Sequence, residues 1–246
     1  ELGMICFSSP FDESAVDFLE ELNVPAYKIA SFENNHLPLI RKVASTGKPV
    51  IISTGMATIS EINEAVVAAR ESGCKNLILL KCTSTYPATP EDSNILTIPH
   101  MRELFGCEVG LSDHTMGVGV SIAAVAHGAT VIEKHFTLDR NDGGVDSVFS
   151  PEPNELKSLV VETERAYHSL GGVFYASTQG EEKSKIFRRS LYIVKDMNAG
   201  DIFTKDNLKI MRPGMGLAPK HYENILGRKI KRSVKKGTAV NWEIFE

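Results

Sequence analysis

The sequence is short of the features that mark several large classes of protein. Acidic residues outnumber basic ones by 31 to 27, which gives a net charge of −4. This charge argues against the basic surface that nucleic-acid binding requires. The longest apolar run, residues 118–126, is too short for a bilayer and is interrupted by Gly119 and Ser121. No basic segment precedes an apolar one in the manner of a secretion signal. We therefore expect neither a nucleic-acid partner nor a membrane partner.

Cysteine is also scarce, and its spacing fits neither a zinc knuckle nor a redox motif. The four residues are Cys6, Cys74, Cys82 and Cys107. This scatter favours reduced thiols over a disulfide framework, and with them a cytoplasmic protein. A hydrophobic content of 42% is ordinary for a soluble protein, and 246 residues suffice for one large domain or two smaller ones.

Short apolar runs alternate with amphipathic stretches through the first two thirds of the chain. The predicted strands are Met4–Ser8, Ala26–Ala30, Pro49–Ser53, Leu77–Cys82, Val109–Ser112 and Thr130–His135. The predicted helices are Asp12–Leu22, Leu37–Ser45, Ile59–Ser72, Pro99–Phe105 and Gly119–His127. Such alternation predicts an α/β fold with parallel strands and right-handed crossovers. Because eight strands close a TIM barrel and an open sheet leaves bare edges, we expect a (β/α)8 barrel that lacks its first two βα units in this chain.

The composition changes near residue 170 and divides the chain into three predicted parts. Residues 1–170 form the partial barrel, residues 171–185 a polar linker, and residues 186–246 a small β-rich domain. The last part contains a weak internal repeat, in which Gly200 and Gly237 occupy equivalent turns. A domain of about 60 residues is close to the minimum for independent folding, so we expect it to lean on a partner surface.

Two neighbouring predicted strands end in a histidine, His114 and His135. The carboxyl ends of parallel strands face the ligand crevice, so both imidazoles are expected in one site. Neutral imidazole suits a divalent metal such as Mn, Zn or Fe. A single buried histidine is more often structural, but two at equivalent positions favour a metal-assisted enzyme.

The other predicted strand ends carry lysines and hydroxyl groups, which together suit an anionic phosphate or carboxylate ligand. These residues are Ser8, Ser9, Lys28, Ser31, Glu33, Ser53, Thr54, Lys81, Thr83, Tyr86, Ser112 and Glu133. Lys134 lies between two residues of the predicted site, and the pleat of the strand should turn it to the opposite, helix-facing side.

Seven motifs, taken in order, resemble those of the sialic acid synthase family. They are Phe7–Phe11, Tyr27–Glu33, Ile52–Met56, Cys82–Pro87, Gly110–His114, Glu133–Phe136 and Gly143–Asp146. Members of that family condense phosphoenolpyruvate with an N-acylated amino sugar to form nine-carbon nonulosonic acids. The resemblance covers essentially the whole chain, and residues 186–246 resemble the family's antifreeze-like (SAF, β-clip) domain.

Within the family, three stretches look more like those of pseudaminic acid synthases: residues 28–33, 146–150 and 187–191. N-acetylneuraminate enzymes usually carry glycine where Phe32 stands and asparagine where Ser84 stands. A bulky Phe32 beside the sugar favours a 6-deoxy substrate. N-acetylneuraminate synthase and legionaminate synthase are the alternatives within the family.

The resemblance also implies roles for individual side chains. His114 and His135 would hold a divalent metal, with Mn expected and Mg or Co as alternatives, and Glu33 would stabilise charge at the reacting C2. The implied phosphate ligands are Ser9, Lys28, Ser31 and Ser53. The residues implied near the substrate carboxylate are Ser84 and Ser112, and those implied near the sugar are Tyr86, Asp146 and, from the partner of a domain-swapped homodimer, Arg212. The family's first two barrel units carry a catalytic glutamate and a phosphate-binding lysine that have no match here, so we expect the chain by itself to lack part of the active site.

Two alternatives belong to other classes. One is an aldolase with Lys28 or Lys81 as a Schiff base, against which the flanking hydroxyl groups argue. The other is a non-catalytic carbohydrate- or ice-binding protein that uses the C-terminal domain. Its threonines Thr178, Thr204 and Thr238 form no regular array, and this disfavours the second alternative.

Overall fold

The structure is a computed structural model that describes residues 3–245, and the chain divides into two compact units between residues 171 and 172. The first unit contains a five-stranded parallel sheet whose strands pair in sequence order. Its strands are β1 (Tyr27–Ile29), β2 (Val50–Ser53), β3 (Leu77–Cys82), β4 (Glu108–Asp113) and β5 (Ile132–Lys134). Its helices are α1 (Glu13–Glu21), α2 (Leu37–Ala44), α3 (Ile59–Glu71), α4 (Thr97–Phe105), α5 (Gly119–Ala126) and α6 (Pro153–Ser169).

Local sequence signals account for the helix ends. Asp12 accepts a hydrogen bond from the Ala15 amide and caps α1. At the start of α3, Thr58 and Glu61 form a reciprocal capping box, which satisfies two backbone amides that have no partner within the helix. Gly106 ends α4 in the left-handed conformation. These caps mark where α1 and α3 begin and where α4 ends.

The sheet curls strongly, as a contact between side chains of its two edge strands shows. In a flat sheet β1 and β5 would lie four strand spacings, or about 19 Å, apart. Yet Lys28 Nζ on β1 is 3.4 Å from Glu133 Oε2 on β5. The side chains that follow the strand ends therefore surround a common space, as they do in part of a barrel.

The approach of β4 to β5 depends on a glycine. A Cβ atom at Gly110 would lie 2.2 Å from the carbonyl oxygen of Val131 and 2.8 Å from the Leu80 side chain. No side chain fits at those distances, so this position requires the absence of a Cβ atom rather than an unusual backbone conformation.

The α/β class, the parallel order and five of the six predicted strands are confirmed. The predicted strand Met4–Ser8 is wrong: only Ser8 forms a bridge, with Tyr27, and residues 3–8 are exposed. This segment has no second neighbour among residues 3–245 to complete its pairing. The sequence prediction also missed α6, because Leu159 is the only buried side chain among its 17 residues.

The second unit contains an antiparallel pair, β6 (Ser190–Ile193) and β7 (Leu208–Met211), and a short helix, α7 (Tyr222–Ile225). Met197 and Val234 exchange backbone hydrogen bonds in both directions, and they are 37 positions apart, as are Gly200 and Gly237. Both glycines have positive φ, 91° and 90°. The repeat is therefore structural: two copies of one strand–turn–strand motif pair with each other about a pseudo-two-fold axis. No helix among residues 3–245 is long and apolar enough to cross a membrane.

Candidate active site

A cavity of about 250 Å³ lies at the carboxyl ends of the five strands. Eight residues predicted as site residues line it: Ser9, Lys28, Ser31, Ser53, Tyr86, Ser112, His114 and His135. The remaining lining residues are Ala30, Phe32, Cys82 and Glu133. The strands are parallel and the sheet curls, so residues more than 100 positions apart in sequence meet in this space.

One side of the cavity is a row of polar groups built across four strands. Lys28 is only 8% exposed, and its Nζ donates to Ser53 Oγ at 2.7 Å and faces Glu133. Glu133 Oε1 in turn accepts a hydrogen bond of 2.6 Å from Ser112 Oγ. A buried cation flanked by hydroxyl groups suits a phosphate or carboxylate ligand. The carboxylate partner of Lys28 argues against the Schiff-base alternative, which needs a lysine without such a partner.

The other side of the cavity is formed by the two histidines, whose ring centroids are 5.2 Å apart. His114 Nδ1 lies 2.9 Å from the carbonyl oxygen of Thr83. A carbonyl can only accept, so Nδ1 donates and the Nε2 atom keeps its lone pair. His135 Nδ1 lies 3.4 Å from Asp146 Oδ2. The Nε2 atom of this ring is therefore the one available to bind a metal. Partners on Nδ1 that orient the ring are typical of metal-binding histidines.

The two imidazoles differ in basicity. Burial, together with repulsion from His114, lowers the pKa of His135 below its usual value. Burial also lowers the pKa of His114, but its hydrogen bonds to Cys82 and to the Thr83 carbonyl, with the charge of Glu133, outweigh that effect and raise it. Burial raises the pKa of the Cys82 thiol, and the hydrogen bonds to His114 and Ser84 outweigh it and lower the pKa. His135 is therefore the ring held more firmly in the neutral form.

Comparison with known proteins decides the family. The NeuB family model matches residues 1–175, and the SAF domain model matches residues 188–246. The chain belongs to the NeuB family. This agrees with the resemblance in the seven motifs.

Three relatives illustrate the match. The chain is 42% identical to the pseudaminic acid synthase of Campylobacter jejuni over 244 residues, 99% of this chain and 71% of the relative. It is also 42% identical to the N,N'-diacetyllegionaminic acid synthase of that organism over 231 residues, 93% of this chain and 69% of the relative. The crystal structure of spore coat polysaccharide biosynthesis protein spsE from Bacillus subtilis is similar at a TM-score of 0.66 and 33% identity, and the match covers 99% of this chain and 74% of that one.

An aromatic residue that was not predicted from the sequence, Phe149, packs against both histidines of the cavity. Phe149 is 4% exposed, and its ring centroid is 5.1 Å from that of His135 and 6.3 Å from that of His114. Tyr86 covers His114 from another side at 4.4 Å. No pattern in the sequence distinguishes Phe149 from other loop phenylalanines. Glu133, in contrast, is one of the predicted strand-end residues, and residues 133 and 135 of one strand face the same side.

Some predicted site residues do not line the cavity. Ser84 lies beside it and donates to Ser31 Oγ at 2.8 Å, while Asp146 reaches it only through His135. Glu33 Oε2 is buried and has no hydrogen-bond partner in the part of the chain that the structure describes. Lys81, the other Schiff-base candidate, donates to Thr83 Oγ1 at 2.7 Å and does not line the cavity. Arg212 belongs to the second unit.

Proposed function

We propose that the protein is a pseudaminic acid synthase, which condenses phosphoenolpyruvate with 2,4-diacetamido-2,4,6-trideoxy-altrose. The observation that carries the proposal is the convergence of Lys28, four serine hydroxyl groups and two imidazoles in one cavity. Relatives of that name from C. jejuni and Helicobacter pylori are 42% and 41% identical over 99% and 100% of the chain. The family match and the chemistry of the cavity support the same reaction class, a transferase that forms a carbon–carbon bond.

In this proposal the polar row binds phosphoenolpyruvate. Lys28 neutralises the phosphate, and the hydroxyl groups of Ser9, Ser31 and Ser53 donate to its oxygens, while Ser112 lies nearer the carboxylate. Ser84 holds Ser31 in place through their 2.8 Å hydrogen bond. Charge-assisted hydrogen bonds of this kind are stronger than neutral ones, which suits a small and highly charged substrate.

The histidines fit a divalent metal, for which we propose Mn, with Mg or Co as alternatives. No group of three or more His, Cys, Asp or Glu side chains in residues 3–245 is arranged to hold a metal ion. The protein would therefore supply two imidazole ligands and leave positions for substrate oxygen and water. When bound, the metal would polarise the sugar aldehyde as a Lewis acid. Thr83 and Asp146 orient the two rings for this role.

Glu33 is the proposed catalytic carboxylate. Its buried Oε2 has no partner among the described residues, and a buried acceptor without a hydrogen bond costs free energy. A substrate group or a water molecule that adds at C2 would satisfy it. Glu33 lies four residues after the end of β1, and in this proposal its carboxylate serves the carbon from which phosphate leaves.

We further propose that two additional βα units complete the site by closing the sheet into an eight-stranded barrel, in which residues 4–8, whose Ser8 already bridges Tyr27, pair beside β1 as one of the strands. An apolar groove runs beside the outer edge of β5, lined by Ile132, Leu156, Leu159 and Val160 among others. An apolar surface of this kind next to an unpaired strand edge supports packing by another element.

Substrate preference tests the proposal and separates it from legionaminic acid synthesis, which the 42% identical relative favours as a second candidate. The full-length gene product should show a much higher kcat/KM for the 6-deoxy altrose derivative than for N-acetylmannosamine or for the legionaminate precursor. Phe32→Gly should shift the ratio of the two kcat/KM values towards N-acetylmannosamine. The shift should correspond to about 1–3 kcal/mol, which is typical of one apolar contact. Phe18→Gly is the control, because the two rings are equally exposed, 59% and 58%, and Phe18 lies on α1. An equal or reversed preference would contradict the assignment.

We also propose a domain-swapped homodimer in which Arg212 reaches the sugar in the partner's cavity. Its planar guanidinium group can donate two parallel hydrogen bonds, which a lysine cannot reproduce. Mixing Arg212→Ala subunits with His135→Ala subunits should restore part of the activity, because one cavity of each mixed dimer keeps both groups. If subunits exchange and activity does not return, Arg212 does not act across the dimer.

A further inference from the structure

A buried ion pair lies on the opposite face of the two strands that carry the histidines. Asp113 and Lys134 are register partners at the ends of β4 and β5. Lys134 Nζ is 3.0 Å from Asp113 Oδ2, and the two side chains are 2% and 1% exposed. Each residue immediately precedes a histidine of the site, so the pair joins the two segments from which the imidazoles extend.

The same ammonium group also fixes the chain beyond the first histidine. Lys134 Nζ donates to the Thr115 carbonyl oxygen at 2.6 Å. Asp113 Oδ1 accepts from the Thr115 amide at 2.9 Å and from its hydroxyl group at 2.7 Å, and Oδ2 accepts from Ser121 Oγ on α5 at 2.6 Å. Both neighbours of His114 are thus held by one cation, which itself precedes His135.

We propose that Asp113 and Lys134 are positioning residues that set the separation and orientation of the His114 and His135 rings. A buried ion pair must give up its hydration, so it is weak support for stability by itself. Here the pair crosses from one histidine-bearing strand to the other, where an apolar pair would leave the ends of β4 and β5 joined by fewer directional contacts. The inference rests on the proposed metal-binding role of the two histidines.

A double variant separates positioning from stability. Removing Lys134 alone would leave a buried carboxylate without its cation, which strongly destabilises a folded protein whatever the role of the pair. Asp113→Asn/Lys134→Met removes both charges and keeps similar volumes, so folding is expected to be retained. The matched control is Glu20→Gln/Lys48→Met, which removes the 2.7 Å ion pair of the same unit at the other end of the sheet.

Two measurements on the 246-residue chain test the proposal. The first is the Kd for Mn²⁺ alone, by competition with a chelating dye, which should rise about 10- to 100-fold in the Asp113/Lys134 double variant and stay unchanged in the control. The second is ¹⁵N NMR of the metal-free imidazoles. The His114 and His135 signals should shift or broaden in the Asp113/Lys134 double variant and should stay unchanged in the control. Ser121→Ala, which removes the 2.6 Å hydrogen bond to Asp113 Oδ2 and keeps both charges of the pair, should change the same ring signals to a smaller extent.

Unchanged ring signals and unchanged Mn²⁺ affinity in a folded double variant would overturn the proposal. If the parent chain does not bind Mn²⁺, the proposed metal site fails, and the ring signals alone then decide between positioning and a structural role. If the double variant does not fold, the ring signals of Ser121→Ala, in which both charges remain, make the same decision. A melting temperature that falls equally in the variant and the control, with normal ring signals, would show that the pair is only structural.

Discussion

The two ends of the parallel sheet carry similar side chains and use them differently. At the amino end a cavity of about 540 Å³ is lined by Arg70, Lys75, Arg102 and Glu108 among others, and it is larger than the cavity of about 250 Å³ at the carboxyl end. Arg70 donates to the carbonyls of Phe105 and Gly106, and Arg102 to that of Gly128. At the amino end, therefore, the cations hold loop and helix ends together.

At the carboxyl end the polar groups bond to one another across strands and around open space. Lys28, Ser53, Glu133 and Ser112 form one row, and the Nε2 atoms of the two histidines remain for a ligand. Cavity size therefore does not distinguish the candidate active site from the cavity at the amino end. The identifying feature is whether the polar groups retain bonding capacity after the backbone has been satisfied. Four substitutions test this contrast, in order of decreasing expected effect.

His135→Ala should have the largest effect, and only on function. We expect kcat/KM of the full-length enzyme to fall at least about 100-fold, as when one group that stabilises developing charge is removed. The melting temperature should change little, because the ring is half-buried at the edge of the cavity. The exposed His100 on α4 provides the control, His100→Ala. Normal turnover by His135→Ala would remove the histidine from the active site.

Gly110→Ala, in the middle of β4, should lower both the stability and the activity of the protein. The new Cβ atom would overlap the Val131 carbonyl, so we expect a loss of about 3 kcal/mol in the free energy of unfolding, measured with urea. Activity should fall as well, because β4 and β5 carry the two histidines. Gly119→Ala, at a position with open space around it, should be neutral or stabilising. Equal stability of the two variants would show that the close approach of the strands is not required.

Arg102→Met should affect stability alone. The methionine keeps part of the packing and removes the hydrogen bond to Gly128, so the free energy of unfolding should fall by about 1–2 kcal/mol. We expect kcat/KM to be unchanged within a factor of two or so, since we propose that the reaction takes place at the carboxyl end. Arg165→Met on α6, where the side chain is 71% exposed, is the control for removing an arginine. A large loss of activity in Arg102→Met would contradict the division between the two ends.

Glu20→Gln should give the smallest effect, visible only in its pH dependence. Hydrogen bonds from Lys48 and then from Tyr27 lower the pKa of Glu20 below its ordinary value of 4.5. A lowered pKa in the folded state adds stability above about pH 4.5, and this stability is lost as the pH falls through the lowered pKa. The variant should therefore be less stable than the parent at pH 7 and equal to it in strong acid. Thermal unfolding between strong acid and pH 7, with Glu64→Gln as control, measures the difference in stability between variant and parent. A difference that persists in strong acid would show that it does not come from the lowered pKa of Glu20.

Much of the fold was predictable because its signals are local. Apolar periodicity marked β3 as Leu77–Cys82, the bounds that the structure shows, and the helix that became α3 was predicted within one residue of its end. The errors have physical causes. Residues 4–8 have an apolar strand pattern without enough neighbours to pair with, and α6 has too narrow a buried face to show a clear period.

The candidate site was predictable as a set of strand ends and not as a geometry. The position of polar residues after apolar runs was enough to place eight of them, six being histidines and serines, around one cavity. The contact between Glu133 and Lys28 could not be predicted, because it depends on the curl that brings β5 to β1. The burial of Phe149 beneath the imidazoles depends on the path of a loop, which has no periodic signal.

Short-range patterns and motifs in the amino-acid chain were enough to predict the order of strands and helices, the family, and the residue types at the strand ends. The pairing of polar groups, Ser112 with Glu133 and Asp113 with Lys134, arises only in the folded sheet. This is because alternation along a strand specifies only the face on which each side chain lies. Its partner depends on the register and curvature of the whole sheet, which are set by packing between segments far apart in the chain.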